Sequence, residues 1–453
     1  MDFANKKVLV VGLGKSGLSA ARWLSREGAE VTICDIKTEA EIDRKLVKES
    51  LKLRIKMETG AHREEIFLDS DMIILSPGVP LDIGPLKAAR KAGIRVMGEI
   101  QLAAQLISVP LVAVTGTNGK STATTLIGSM LQGAGRRVFV GGNIGTPLMD
   151  YALGDQEAEY AVVEVSSFQL DILENFSPLV SLLLNISPDH LDRYPDYEAY
   201  VQSKLMIFQN QGFGQYAILN DDDGRLSRCE PPGDVSVLRY GRENKWGRHA
   251  YIEGKKMIVS MPGKEVHYFD LERFGLPGIH NLENLMGVVL AGLALDIEPR
   301  VIQDTMNNCK GLSHRLERVR NIRGIDFYND SKATNVDAAA RSVTSFERPL
   351  ILIAGGRHKG GDYAPFVRAA AGRVKKAIFL GEAKYLLAES FEGAIPFMLA
   401  EDMEDAVSQA FSSAEYNDVV LLAPACSSFD MFSDYTHRGR IFRELVERLD
   451  NGR

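Results

Sequence analysis

No stretch of this 453-residue chain approaches the roughly 18 consecutive apolar residues of a membrane-spanning helix, so no membrane span is expected. The apolar run Val8–Val11 follows a polar start, Met1–Lys7, and ends at once in glycine. It is too short for the core of a secretion signal and reads as a strand. Cysteine is scarce: Cys34, Cys229, Cys309 and Cys426 are scattered, with no C-x-x-C pair. Four thiols could make two disulfides, but in a chain this large without a secretion signal, free thiols in a reducing compartment are expected. The expectation is a soluble, cytoplasmic protein. Nor is there an excess of basic residues: 53 Lys and Arg against 60 Asp and Glu give a net charge of −7. That disfavours a general nucleic-acid binder. It says little about a small anionic substrate, because the field inside a cleft can oppose the net charge.

Strand-like β-branched runs alternate with helix-like segments along most of the chain. This is the pattern of α/β architecture with mostly parallel sheets. At about 150 residues per domain the length suggests about three domains. Boundaries near residues 98 and 311 divide the chain into 1–98, 99–311 and 312–453. The first block opens strand, helix, strand over Lys7–Val11, Lys15–Glu27 and Glu30–Asp35, and has a further strand at Met72–Leu75. The second opens with a strand at Leu111–Thr115 and a helix at Lys120–Gln132, followed by strand runs Tyr160–Val165 and Leu179–Asn185. Between Gln215 and Phe269 short strands and Gly- and Asp-rich turns read as an antiparallel edge, and Asn281–Leu295 has helical spacing. The third block has strands at Ile325–Tyr328, Leu350–Ala354, Lys376–Leu380 and Val419–Leu422, and a last helix from about Gly439 to Leu449. There is no short internal repeat and no low-complexity tract.

Two glycine loops carry the chemistry. Gly12-Leu13-Gly14-Lys15-Ser16-Gly17 lies between a strand and a helix, and Asp35 ends the next strand. This is the G-x-G-x-x-G context, in which backbone N–H groups approach a diphosphate at a helix N-terminus and an acid meets ribose hydroxyls. NAD, FAD and the diphosphate of a UDP-sugar all fit it. Ser76-Pro77-Gly78 is another loop at a strand end and a possible second anion site. The second loop is Gly116-Thr117-Asn118-Gly119-Lys120-Ser121-Thr122. The strict P-loop would need glycine where Val114 stands; what remains is G-x-x-G-K-S-T in the right place. Its amides can cradle phosphate oxygens, Lys120 can reach the β- and γ-phosphates, and Ser121 can ligate Mg²⁺.

Downstream residues sharpen this second loop. Glu164 ends a strand, where a carboxylate can meet the magnesium, in the crevice where α/β sheets bind ligands. Asn143 opens a further polar loop at a strand end. His190 follows an apolar strand and is flanked by Asp189 and Asp192. Lys204 lies in a helix that begins near Pro195; residue pattern alone leaves it an exposed helix lysine.

Together Gly116–Thr122, Glu164–Leu170, Asn185–Tyr194, His280-Asn281-x-x-Asn284 and His314-Arg315 resemble the Mur ligase family, ATP-dependent ligases that extend the peptide of the bacterial cell-wall precursor. The outer motifs Gly12–Ala20, Ser76–Val79, Asn329–Asn335, Pro424–Asp430 and His437-Arg438-Gly439 extend the resemblance over essentially the whole chain. It implies three domains: an N-terminal Rossmann-like domain, a central P-loop-type ATPase α/β domain, and a C-terminal Rossmann-like α/β domain. It implies UDP rather than NAD at the first loop, through Gly14, Lys15, Ser16, Gly17, Asp35, Lys37, Ser76, Pro77 and Gly78, with Asn143 also on the UDP-substrate. Lys37 stands where relatives often have arginine. ATP would be held by Gly116–Thr122, with Asn281 and Asn284 at the adenine and Arg315 and Asp330 closing over the nucleotide.

A pair of Mg²⁺ ions would lie among Ser121, Glu164, His190 and Lys204, and the catalytic set would be Lys120, Glu164, His190 and Lys204. The resemblance further implies that CO₂ carbamylates Lys204, turning it into an anionic group fit for a hard cation. The Ser427-Ser428-Phe429-Asp430 segment favours D-glutamate over alanine as the incoming amino acid, with UDP-N-acetylmuramoyl-L-alanine as its partner. Lys332, Thr334, Lys359, Ser428 and the Phe429 backbone are its implied donors, unranked. The implied reaction runs through an acyl phosphate, on a monomer. An NAD-linked oxidoreductase would leave the Gly116 loop and Glu164 unexplained, and a nucleotide-sensing regulator would bind ATP without releasing phosphate.

Overall fold

The structure is a computed structural model, and it describes residues 2–191, 193–276, 278–309 and 311–449. Asp192 therefore lies outside the described residues. Three sheets are present. The N-terminal sheet is fully parallel, in the order Lys56–Thr59, Glu30–Asp35, Lys7–Val11, Met72–Leu75, Arg95–Gly98. Its strand order reverses at Lys7–Val11, which opens a crevice at the carboxyl ends of that strand and its neighbours. Gly12, Asp35 and Ser76 all lie at that crevice.

The central sheet has nine strands. Leu111–Thr115 runs at its heart between Tyr160–Glu164 and Val180–Leu183, parallel to both and buried at every position. A strand covered on both faces needs apolar side chains throughout, which is why LVAVT shows no alternation. The expected antiparallel edge is only half antiparallel. Tyr216–Asn220 and Ser236–Tyr240 continue the parallel order beside Val180–Leu183, and antiparallel pairing begins where Ala250–Glu253 meets Lys256–Ser260 and then Val266–Asp270. The Gly- and Asp-rich turns that suggested hairpins also fit the longer connections between parallel strands.

The C-terminal sheet is mixed, in the order Glu317–Ile322, Ile325–Asn329, Val419–Leu422, Leu350–Gly355, Val374–Leu380, Phe397–Leu399, with only the first pair antiparallel. The last helix starts at Tyr435, earlier than the spacing predicted, because Asp434 caps it by accepting from the His437 amide. Among the described residues no helix is long and apolar enough to cross a membrane.

The two junctions between sheets differ in kind. One apolar cluster runs from the N-terminal sheet into the central one through Ile100, Leu102, Leu148 and Met149, so these two parts share a core. The C-terminal sheet has its own clusters on each face. Its contacts with the central part are polar. Asn118 Nδ2 donates to Asp337 Oδ2 (2.8 Å), Asn335 Nδ2 to Asp189 Oδ2 (2.8 Å), and Arg341 Nη1 to Glu283 Oε2 (3.2 Å). Polar junctions of this kind separate at lower cost than a shared apolar core.

Candidate active site

The strand Leu111–Thr115 ends in the loop Gly116–Gly119, and the helix Lys120–Gly133 starts on the far side. Gly116 has φ +148° and Gly119 φ +87°, so the loop turns through backbone conformations that side chains disfavour. No side chain caps the helix, which leaves its first N–H groups and the positive end of its dipole for an anion. A Cβ on Gly119 would fall 2.4 Å from Asn284 Nδ2. Gly119→Ala is therefore expected to cost about 1–2 kcal/mol of stability through its left-handed backbone. It should also raise the KM for ATP about tenfold by displacing the buried Asn284. Thermal unfolding and initial rates across ATP concentrations measure the two effects.

Lys120 Nζ donates to Gly116 O (2.9 Å) and Thr117 O (2.8 Å), so its ammonium sits in the concavity of its own loop. Burial pulls its pKa down, against the opposing charges of Glu164 and Asp189. Ser121 Oγ donates to Glu164 Oε2 (2.7 Å) and Asn143 Nδ2 to Glu164 Oε1 (3.0 Å). Burial pushes the Glu164 carboxyl up, but Lys120, Asn143, Ser121 and Arg315 outweigh it, and the group is held below the ordinary glutamate value. Glu164 is thus an anion at neutral pH.

His190 adopts φ +56° and packs edge-on against Phe168, ring centroids 4.9 Å apart. Burial above all lowers its pKa to about 4, so the imidazole is neutral and has a lone pair to offer. Asp189 beside it accepts from Asn335 and lies 3.6 Å from Lys359 Nζ. Lys204 departs from the residue-pattern reading. It is 2% exposed, and Nζ donates to Gly116 O (3.0 Å) and Thr115 Oγ1 (3.3 Å). Its helix, Tyr197–Leu205, packs that face against the phosphate loop rather than solvent. Burial, reinforced by Lys120, holds the amine well below the ordinary lysine value.

One cleft is lined by Lys120, Ser121, Glu164, His190 and Lys204 from the central part and by Arg315, Lys332, Thr334 and Lys359 from the C-terminal part. Arg315 Nη2 donates to Ser121 Oγ (2.9 Å) across the junction. Lys332 lies 3.8 Å from the centroid of the Tyr435 ring, and burial lowers its pKa to about 7. A neighbouring pocket brings Asn118, Gly119 and Thr122 together with Asn281, Asn284, Arg315 and Asp330. Asp330 accepts from Ser342 Oγ and from the Leu316 amide, and burial raises its pKa to about 6. Ser428 is buried and Phe429 is 63% exposed; neither lines the cleft that holds Lys359.

The N-terminal crevice is a separate site. Asp35 accepts from the Leu13 amide (2.7 Å) and the Lys37 amide (2.9 Å), which braces the glycine loop and leaves carboxylate lone pairs free for a ribose. Ser76 Oγ donates to Gly12 O (2.8 Å). A Cβ at Gly17 would meet Gly12 O at 2.0 Å, so the first turn of the helix Lys15–Arg26 accepts only glycine at that position. Lys15, Ser16 and Lys37 are not buried. Arg193 Nη1 donates to Gly78 O (3.2 Å) while its guanidinium lies 4.1 Å from the centroid of Phe168, which ties this crevice to the His190 loop. Asn143 lies on Glu164 rather than in the crevice.

Two residues at the central cleft escaped sequence reading. Tyr200 OH lies 3.0 Å from Thr117 Oγ1, and Asp337 accepts from Asn118 and from Ser187 Oγ (3.1 Å). Asp337 in a first helical turn looks like an ordinary dipole partner. Tyr200 lies within a helix and carries no motif.

Comparison with known proteins gives consistent results over the whole chain. Family models for a Mur ligase MurD-like N-terminal domain, the Mur ligase middle domain and the Mur ligase glutamate ligase domain match residues 6–98, 114–292 and 314–426. The UDP-N-acetylmuramoylalanine–D-glutamate ligase of Koribacter versatilis is 42% identical over 449 residues, covering 99% of each chain. That of Geotalea daltonii is 41% identical over 453 residues, covering 100% of this chain and 99% of its own. Among solved structures, UDP-N-acetylmuramate-alanine ligase of Thermotoga maritima superposes with a TM-score of 0.62 at 17% identity, over 99% of this chain and 100% of its own. The MurF ligase of the same organism, in complex with ADP, gives 0.58 at 16%, over 99% and 96%.

Proposed function

We infer that this chain, which belongs to the Mur ligase family, is the ATP-dependent ligase that joins D-glutamate to UDP-N-acetylmuramoyl-L-alanine in cytoplasmic peptidoglycan precursor synthesis. The observation that carries the reaction class is the cleft that gathers Lys120, Ser121, Glu164, His190 and Lys204 with Arg315 and Lys359 from another sheet. A phosphate loop facing a second, cationic domain suits the transfer of a phosphoryl group to one anion and the capture of another. On this reading residues 1–98 bind UDP, 99–311 bind ATP and 312–453 bind the amino acid, all within a monomer.

The L-alanyl carboxylate attacks the γ-phosphoryl group of ATP, giving an acyl phosphate and ADP. The amine of D-glutamate then attacks the acyl carbon, and phosphate leaves. Both partners in the first step are anions, so the cleft must screen their repulsion; Lys120, Arg315 and the helix N-terminus do so by position. Asn281, Asn284 and Asp330 hold the nucleoside. Gly14, Ser16, Gly17, Asp35, Lys37 and Ser76–Gly78 hold the UDP moiety. Lys332, Thr334 and Lys359 receive the carboxylates of D-glutamate, with Ser428 and Phe429 brought in from the adjoining loop.

The donor set suits Mg²⁺. Among the described residues no group of three or more His, Cys, Asp or Glu could hold a metal by itself. Magnesium, however, takes one or two carboxylates and completes its shell with phosphate oxygens. Glu164 and Ser121 supply hard oxygens and His190 a neutral nitrogen. Bound Mg²⁺ would neutralise charge on the phosphoryl oxygens. Lys204 joins this set only as a carbamate, and the buried amine favours that: CO₂ reacts with a neutral amine, the form this environment selects.

An amino-acid panel tests the substrate assignment. With UDP-N-acetylmuramoyl-L-alanine, Mg²⁺ and ATP, D-glutamate is expected to support ADP release and amide formation, while L-glutamate, L-alanine and meso-diaminopimelate are not. Preferential use of another amino acid would contradict the assignment and leave the ligase chemistry standing.

A further inference from the structure

Arg438 lies near the start of the final helix, Tyr435–Arg448, with its side chain pointing into the C-terminal domain. The residue is 2% exposed. A buried guanidinium is ordinarily compensated by a carboxylate, because an unpaired interior charge is costly. Among the described residues no carboxylate lies within ion-pair distance of Arg438. Burial lowers its pKa to about 10, partly offset by Cys426 and Asp430, which leaves it protonated near neutrality.

Its donors go instead to three strand-end loops. Nε donates to Ser331 Oγ (2.9 Å) and Nη2 to Ser331 O (2.8 Å). Nη2 and Nη1 each donate to Cys426 O (3.2 Å), and Nη1 also reaches Ser427 O (3.3 Å) and Gly355 O (3.4 Å). The loops themselves interlock: the Arg357 amide donates to Ser427 O and the Ser427 amide to Arg357 O, both at 3.0 Å. The fit leaves no room. A Cβ on Gly356 would lie 2.1 Å from Ser427 O and 3.1 Å from Arg438 Nη1.

Each of these loops carries groups assigned above to the amino acid. Lys332 and Thr334 follow Ser331, Lys359 follows Gly355 in the same turn, and Ser428 and Phe429 follow Ser427 directly. No two of the loops adjoin in sequence; they converge only in space. The planar five-donor fork of arginine can hold several carbonyls at once, which the point charge of lysine cannot.

We propose that Arg438 is the positioning residue of the amino-acid subsite, fixing the register of three loops: those of Lys332 and Lys359, whose side chains line the central cleft, and that of Ser428, which interlocks with the Lys359 loop. It never touches the substrate and acts only through the loops. The proposal rests on the D-glutamate reading, and the control comes first: amide formation from D-glutamate by the wild-type enzyme. If the wild type uses a different amino acid, that reading fails and the same measurements are made with the amino acid it does use.

Initial rates are then compared for wild type, Arg438→Gln, Arg438→Lys and Ser331→Ala. Arg438→Gln is expected to raise the KM for D-glutamate about tenfold or more, with the KM for ATP and for the UDP-substrate within about twofold. Arg438→Lys should lie between it and the wild type. Ser331→Ala removes the acceptor of Arg438 Nε, together with the bond that Ser331 Oγ donates to Tyr435 O (2.8 Å), without opening a large cavity, and should raise the same KM about two- to fivefold. A proportional change in all three KM values would overturn the proposal, as would an unchanged KM for D-glutamate in a folded Arg438→Gln. If Arg438→Gln does not fold, Ser331→Ala decides by the same criterion.

Discussion

Lys204→Ala is expected to lower kcat by about 10²–10³-fold, a loss comparable to removal of a charge-stabilising group from an enclosed site. Nζ donates to Gly116 O and Thr115 Oγ1 and lies 5.4 Å from the centroid of the Tyr200 ring, Lys120 disfavours its charged form, and a neutral amine is a poor ligand for a hard magnesium ion. Buried there merely as a lysine, it would be a burden on the fold. Carbamylated, it becomes an anion beside Lys120 and the Glu164 side of the site. Lys204→Met separates the two roles. Gly116 O keeps its bond from Lys120, and the burial cost of the amine disappears. Lys204→Met should therefore be as inactive as Lys204→Ala while its Tm equals or exceeds that of the wild type. Wild-type activity should also fall when dissolved CO₂ is removed. Full activity in either variant, assayed at low CO₂, would contradict the carbamate.

Lys120→Ala is expected to reduce ADP formation by about 10³-fold. Lys120 lies in the concavity of the Gly116 loop with Glu164 opposing its charge, and that loop carries no other lysine. The fold should survive, because its two hydrogen bonds go to carbonyls of its own loop and the side chain is no part of the apolar core. Binding of the UDP-substrate, measured by equilibrium titration, should change less than about twofold, since the Gly12 crevice is a separate site. Lys120→Arg should not restore the rate: a longer, planar group cannot occupy the concavity that holds a compact ammonium. Amide synthesis by Lys120→Ala at the wild-type rate would contradict the phosphate-loop assignment.

The strands at the hearts of the sheets were legible because burial on both faces demands unbroken apolar runs such as LVAVT and MIIL. Lys56–Thr59, Arg95–Gly98, Glu317–Ile322 and Phe397–Leu399 were not, and each is an edge of its sheet. An edge strand is half exposed and takes polar residues, so KMET carries almost no signal. The same logic divides the site. The glycine loops, Glu164 and His190 could be read because strand-end position and residue type coincide. Lys204 could not be read from pattern alone: in a helix with tyrosine, serine and glutamine around it, nothing in the sequence says which face meets Gly116. Resemblance to the family singled it out, and the structure shows it buried against the Gly116 loop. Contacts such as Asn118 to Asp337 join residues 219 positions apart and exist only once two separate sheets have met.

Purified protein is given UDP-N-acetylmuramoyl-L-alanine, D-glutamate, ATP and Mg²⁺, and the products are identified by mass spectrometry while ADP and phosphate are counted. The expected product is a UDP-substrate heavier by one glutamyl residue in amide linkage, with one ADP and one phosphate released for each amide formed. AMP and pyrophosphate as products would contradict activation through an acyl phosphate, and ATP consumed with no change in the mass of the UDP-substrate would contradict the ligase itself.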